Sequence, residues 1–272
     1  MLLESMLELL NRIRVVLVEP THPGNIGAVA RSMKTMGLSR LVMVNPKKFP
    51  HYDATKRAAG AESVLDDAVL VDSVQSAIAD CTLVLGTSVR DREVSWPTFD
   101  PRVSADNMLT HLSTPLMSAE ISAGSQPEVA ILFGRESSGL TNQEMDLCHS
   151  QIRIPANDEY SSLNLASAVQ IISYELRMAA LSMDNDEASS TKESVSSFEH
   201  RQQLANKEQQ QGHLEHLHDV LEKLAFFKKK PPELLMRKLT RLYNKSELTI
   251  EEIQILRGIL SSIDSQLANQ GN

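Results

Sequence analysis

The residues best placed to do chemistry in this sequence follow four short apolar runs. After Arg14–Val18 comes Glu19-Pro20-Thr21-His22-Pro23-Gly24-Asn25-Ile26-Gly27, with Arg31 six positions beyond Asn25. After Val84-Leu85 comes Gly86-Thr87-Ser88-Val89-Arg90-Asp91-Arg92, and after Ile131–Phe133 comes Gly134-Arg135-Glu136-Ser137-Ser138-Gly139. The fourth run, Ile152–Ile154, leads through Pro155 to Tyr160-Ser161-Ser162-Leu163-Asn164. An apolar strand that ends in small and polar residues presents backbone amides and hydroxyls at one end of a sheet, where open α/β folds take ligands. Such a pocket is neutral and hydrogen-bonding, and it suits an adenosine-type cofactor. Gly24-x-x-Gly27 lacks the first glycine of a dinucleotide fingerprint, and no G-x-x-x-x-G-K-[ST] loop occurs, so nucleotide hydrolysis loses support. Gly24 and Gly27 equally suit tight packing of the chain on itself.

The elements that position these residues alternate from Arg14 to about Ala180. Strands are predicted at Arg14–Val18, Leu41–Val44, Val69–Val71, Thr82–Leu85, Val129–Phe133 and Gln151–Ile154. Several are apolar at consecutive positions, as in strands of a mostly parallel sheet covered on both faces. Helix starts are predicted at Asn25 (with Gly37 as the stop), at Asp72, at Thr141 with Glu144 as a capping box, and at Ser162 before about Leu163–Leu181.

At Met183 the composition changes. Asp184–Ser197 is acidic and Ser-rich and Gln202–Gln211 is Gln-rich, which predicts a polar linker over 183–211. Beyond it, His213–Phe227, Pro232–Leu242 and Thr249–Leu267 have helical period, with Ile250, Ile253, Leu256, Ile259 or Leu260, and Ile263 on one stripe of the last. Three parts are expected: an α/β body over 1–182, the linker, and a small helical extension over 212–272.

The 272 residues carry a net charge of −8, which alone argues weakly against nucleic acid. Distribution reverses that argument. Residues 1–60 hold 9 Lys/Arg against 4 Asp/Glu, and 223–245 hold 8 against 1, around an acidic middle. Two cysteines without paired spacing, no long apolar run and no secretory start predict a cytoplasmic protein with structural thiols. His213, His216 and His218 lack a Cys or carboxylate partner set for metal and are expected to face solvent; Cys148-His149 is expected to be local packing, and Trp96 core.

Asn25-Ile26-Gly27-Ala28-Val29-Ala30-Arg31, Phe133–Glu136 with Gly139-Leu140, and Ile154-Pro155 with Ser161–Asn164 resemble the three motifs of the RNA ribose 2′-O-methyltransferases of the SPOUT superfamily, in its TrmH-like group. The resemblance spans about residues 11–180, and the tail shares it through Arg241–Asn244 and Ile255–Leu260. It implies a C-terminal deep trefoil knot, S-adenosylmethionine held in the knotted loops, a homodimer as working unit, no metal, and tRNA as substrate, methylated at the pyrimidine at position 32 of the anticodon loop. Cofactor contacts implied by position are Thr87, Ser88, Val89, Gly134, Ile154, Ser161, Ser162 and Leu163; catalytic residues are Arg31, Asn25, Ser162 and Asn164. Gly134 is expected to keep space for the ligand. RNA contacts are expected from Arg12, Arg31, Lys34, Arg92, Lys228, Lys229, Lys230, Arg237, Lys238 and Arg241, with Lys47, Lys48 and Lys56 also in the basic N-terminal island. The rival readings are the same chemistry on ribosomal RNA or another tRNA site, and a non-catalytic RNA-binding module of the same fold; a dehydrogenase is disfavoured.

Overall fold

The structure, a computed structural model, describes residues 8–90, 96–113, 126–189, 203–227 and 231–270. Two compact units are present, the first formed mainly by the N-terminal 198 residues and the second by 199–272. Arg92 and Lys228, Lys229 and Lys230, expected at the RNA, lie outside the described residues.

The first unit contains β1 (Ile13–Val18), α1 (Pro23–Met36), β2 (Arg40–Val44), α2 (Tyr52–Ala58), α3 (Glu62–Asp66), β3 (Val69–Val71), α4 (Val74–Ile78), β4 (Leu83–Thr87), β5 (Thr98–Phe99), α5 (Pro101–Ser113), β6 (Val129–Phe133), α6 (Asn142–Asp146), β7 (Ser150–Ile152) and α7 (Leu165–Ser189). The seven strands form one sheet in the order β3-β2-β1-β6-β4-β7-β5, and every neighbouring pair is parallel. Because β4 sits between β6 and β7 and all three are parallel, the C-terminal ends of β4, β6 and β7 are neighbours, and the loops leaving them meet.

Strand side chains alternate between two cores, as the period of two requires. Val15, Leu17, Met43, Leu85, Ile131 and Phe133 pack with α1, α2, α5 and α7 on one face. Val16, Val18, Val44, Val84, Ala130 and Leu132 pack with Ile78, Trp96, Leu140 and Met145 on the other. Cys81 and Cys148 are buried free thiols in this second core, and burial pushes the Cys81 thiol up to about 12. The His149 ring accepts the Val84 amide, so Cys148-His149 is packing, as expected.

Three predicted caps move. His22, not Asn25, caps α1 by accepting the Gly24 N–H, which places Asn25 within the first turn. Ser73, not Asp72, caps α4. Asn164, not Ser162, accepts the Ala166 N–H at the start of α7. Gly37 stops α1 at φ 87, and the Thr141/Glu144 capping box is present. Helices α2, α3 and α5 and strand β5 were not predicted; Asp100-Pro101, whose carboxylate accepts the Val103 N–H, is the overlooked start signal of α5.

The second unit contains α8 (Lys207–Lys223), α9 (Pro232–Asn244) and α10 (Ile250–Gln270). Leu214 and Val220 of α8 and Ile253 and Leu260 of α10 are buried, and Lys223 and His216 both reach Asp264. Of the two residues the stripe left open, Leu260 is the buried one and Ile259 is 54% exposed. Helix occupies both ends of the predicted 183–211 linker: α7 continues to Ser189, and Asn206 with Gln209 forms the capping box of α8. Gln210 is buried, its amide donating to the Ala205 carbonyl. His213 is also buried, edge-on to Tyr243, contrary to the solvent-facing expectation.

Candidate active site

The exits of β4, β6 and β7 enclose a cavity of about 150 Å³. Of the residues expected at a cofactor, Thr87, Ser88, Val89, Gly134, Ile154, Ser162 and Leu163 line it; Ser161 does not. Leu140, Ile154, Leu163 and Leu165 line it with apolar side chains, Ser88, Ser137 and Ser162 with hydroxyls, and Arg90, Arg135 and Glu136 with charged groups. Much of this polarity is already oriented by the chain. The Thr87 hydroxyl donates to the Leu132 carbonyl, Ser88 N donates to the Ile152 carbonyl, and the Gln151 amide donates to the Ser88 carbonyl. A planar heterocycle with a hydroxylated sugar fits this donor set of apolar wall, neutral hydroxyls and main chain.

Gly134 is also required for a reason that the sequence did not show. A Cβ there would lie 2.1 Å from the carbonyl carbon of Gly139 and 2.2 Å from the nitrogen of Leu140. The Arg135–Gly139 turn folds back onto the strand end, and a side chain at Gly134 would invade this turn. Gly139 itself has φ 63, a left-handed conformation that favours glycine.

Arg135 fixes the turn from below. Its guanidinium pairs with Glu19 at the exit of β1 and bidentately with Glu144 of α6, and these bonds raise its pKa. The next residue, Glu136, is the functional candidate missed by sequence reasoning. Its carboxylate accepts the Thr21 N–H at 3.0 Å and hydroxyl at 2.8 Å, the His22 N–H at 3.1 Å and the Asn25 amide at 3.1 Å. Desolvation raises its pKa, but the bonds from Asn25 and from backbone amides outweigh this and bring it down to about 2. The anion also stands before the N-terminus of α1, where the helix dipole favours it.

From Glu136 the bonds continue in one direction. Asn25, having given its NH₂ to the carboxylate, accepts with its carbonyl oxygen from the Asn164 amide at 3.1 Å. Asn164 in turn accepts the Ala166 N–H at 2.9 Å. A carboxylate is acceptor-only, so its presence orients both amides. The signal available in sequence was a lone acid between Arg135 and two serines, which resembles any turn residue.

Arg31 is exposed and lines a second cavity with His22, Gly24, Asp53, Lys56, Arg57 and Ala59, apart from the one holding Ser162 and Gly134. Asn25 and Asn164 are therefore brought together, and Arg31 is not brought to the same cavity within one chain. The Arg12 guanidinium, expected at the RNA, already has partners in the fold: it donates to the carbonyls of Pro127 and Leu112, tying the start of β1 to the segment before β6 and to the last turn of α5. Lys34 donates to Gly60 O and Ser63 Oγ at the start of α3, so its ammonium already has partners in the fold. Arg237, Lys238 and Arg241 lie on α9, with Lys238 exposed and the two arginines half-buried.

Residues 12–174 match the SpoU rRNA Methylase family, and residues 208–272 match the C-terminal domain of the tRNA methyltransferase TrmJ. The chain is 44% identical over 254 residues to the tRNA (cytidine/uridine/adenosine-2′-O-)-methyltransferase TrmJ of Pseudomonas aeruginosa, covering 93% of this chain and 94% of that one. It is 43% identical over 268 residues to the tRNA (cytidine/uridine-2′-O-)-methyltransferase TrmJ of Escherichia coli K12, covering 97% and 99%. Among solved structures, TrmJ from Z. mobilis ZM4 superposes with a TM-score of 0.74 at 31% identity over 92% of this chain and 98% of that one. A probable methylase family protein from Haemophilus influenzae gives 0.59 at 37% identity over 96% and 99%. A polar cavity at three parallel strand ends and a helical C-terminal unit thus occur together in a chain that matches known relatives across nearly its whole length, and the chain belongs to the SpoU family of RNA methylases in the form that carries a TrmJ C-terminal domain.

Proposed function

We propose that this protein transfers a methyl group to the ribose 2′-hydroxyl of a pyrimidine in tRNA, at position 32 of the anticodon loop. The single observation that carries this reading is the meeting of the Thr87–Val89, Gly134–Gly139 and Ile154–Leu163 segments around one cavity in a chain similar over 93% of its length to a tRNA 2′-O-methyltransferase. The donor is S-adenosylmethionine, held by Thr87, Ser88, Val89, Gly134, Ile154, Ser162 and Leu163, with Ser161 next to the lining. When bound, that donor supplies an electrophilic methyl on a sulfonium, which departs as a neutral thioether and needs no metal.

The chain's own residues hold and orient. Asn25 and Asn164, ordered by Glu136, fix the polar edge where α1 and α7 begin, and Ser162 lies beside them at the cavity. Arg31 cannot act as a base at neutral pH, because a guanidinium keeps its proton. It anchors the phosphate beside the target ribose and stabilises the alkoxide as it forms, while the hydroxyl proton passes to that phosphate or to water. Much of the rate then comes from alignment in a site shielded from water. In this reading the body over 1–182 carries a trefoil knot, works as a cytoplasmic homodimer, and is helped on tRNA by Arg237, Lys238 and Arg241 and the 228–230 lysines of the extension.

The test is incubation with labelled methyl donor and total tRNA from a strain lacking the protein, followed by nucleoside mapping. Label in 2′-O-methylcytidine or 2′-O-methyluridine at position 32 is expected. Label on a base, at another position, or only in ribosomal RNA overturns the assignment.

A further inference from the structure

The cavity that contains Arg31 has an electrostatic composition unlike the rest of the first unit. It measures about 470 Å³ and is lined by His22, Gly24, Arg31, Asp53, Lys56, Arg57 and Ala59. Four other arginines of this unit are neutralised: Arg14 and Arg40 meet Glu128, Arg102 meets Glu175, and Arg135 meets Glu19 and Glu144. Among the described residues, the side chains of Arg31, Lys56 and Arg57 make no hydrogen bond or ion pair, and Asp53 is the one carboxylate in the lining. Three unneutralised cations facing one concavity repel one another and raise the local potential by several kT, which draws in an anion.

Their grouping is built into the packing of α1 against α2. At Gly27 a Cβ would lie 2.0 Å from the Ala54 carbonyl oxygen and 2.9 Å from Arg57 Cβ, so the two helices touch through the backbone. Arg31 stands one turn after Gly27 on α1, and Arg57 stands three residues after Ala54 on α2, so both lie beside the contact point. Ala54 and Ala58 are fully buried on the inner side of α2, which leaves Lys56 and Arg57 outward. A helix of seven residues has little stability of its own, and this packing is what holds its cations against Arg31.

We infer that this cavity is a phosphodiester-binding subsite for the RNA strand, in which Lys56 and Arg57 of α2 act together with Arg31. The inference rests on the reading of the substrate as RNA, and it adds Arg57 and a defined cavity in which Lys56 and Arg57 act beside Arg31. Lys56 and Arg57 position the strand through charge and touch no reacting atom.

The test uses the full chain with tRNA and S-adenosylmethionine. In the double variant Lys56→Gln/Arg57→Gln, whose side chains are exposed, the Kd for tRNA should rise by about tenfold or more at moderate salt. The slope of log Kd against log salt should fall by about 1–2, near 0.7–0.9 for each phosphate that is no longer neutralised. The Kd for S-adenosylmethionine should not change. Asp53→Asn removes the carboxylate and should tighten tRNA binding, an effect that a merely structural role does not produce. A folded double variant with the parent's Kd and salt slope, or an Asp53→Asn protein that binds tRNA no better, overturns the subsite. Titration with inorganic phosphate is a further arm: saturation at micromolar concentration would assign the cavity to a small anion instead. A parent protein that binds no tRNA overturns the RNA reading itself, and this inference with it.

Discussion

The Asn164 amide donates to the Asn25 carbonyl oxygen across 3.1 Å although 139 residues separate the two in the chain. With Glu136 at one end and the Ala166 N–H at the other, the direction of each bond in this run from Glu136 through Asn25 to Asn164 is determined. Removing the charge at Glu136 removes the reason for that direction.

Glu136→Gln should therefore lower turnover by about 10²-fold while leaving the KM for the methyl donor within a few-fold, since a small misplacement of reacting groups is enough for such a loss. The stability difference between parent and variant should also depend on pH. A carboxyl lowered to about 2 on folding stabilises the native state above its unfolded pKa and loses that contribution as pH falls towards 2. Melting temperatures of the two proteins should converge between about pH 4.5 and 2. Parallel curves would remove the assigned charge role.

Arg31→Lys should lose most turnover with S-adenosylmethionine affinity retained, because an ammonium cannot replace a planar fork against a phosphate and an adjacent oxygen. Single-turnover rates and calorimetry of donor binding measure the two quantities separately. Unchanged turnover would refute the anchoring role.

Arg14 is nearly inaccessible and reaches Asp80 at 2.7 Å and Glu128 at 2.6 Å beneath the N-terminal ends of the strands. Arg14→Leu leaves the Glu128 carboxylate partly buried with Arg40 alone, which should cost about 3 kcal/mol and roughly 6–12 °C in Tm. Turnover per folded molecule should stay at the parent's value, because this cluster lies at the N-terminal ends of the strands and the cavity at their C-terminal ends.

His111 hydrogen-bonds Thr82 at 2.8 Å, and burial, with Arg12 nearby, brings its pKa down to about 4. The unfolded chain then binds more protons than the folded one between about pH 6.5 and 4, so this residue's share of stability is complete above 6.5 and disappears as pH falls to 4. His111→Gln should flatten that limb of the stability curve, read by urea unfolding at pH 7, 5.5 and 4.

The strands were legible because they are buried on both sides: consecutive valines and leucines in β1, β2 and β6 have no other use. The edge strand β5 has two residues and no apolar run, and α2 and α3 are too short for a period to show. The cavity residues were legible where small polar residues directly follow a strand, as at Ser88 and Gly134. Roles that depend on distant partners were hidden. Arg12 is indistinguishable in sequence from an RNA-binding arginine, yet the carbonyls it serves are 100 and 115 residues away. Glu136 was hidden in the same way, since its four donors come from the exit of another strand. The cap at His22 went unseen because histidine is uncommon there, while Asn25 has the residue type without the position.

Both thiols of this protein sit at 0% exposure in the same sheet face, one following α4 and the other following α6. A thiol-specific chromophore thus has no background sites on the native molecule, and its slow incorporation would time the parting of that single layer. The chain carries its own two-point gauge of how often that side of the sheet comes open.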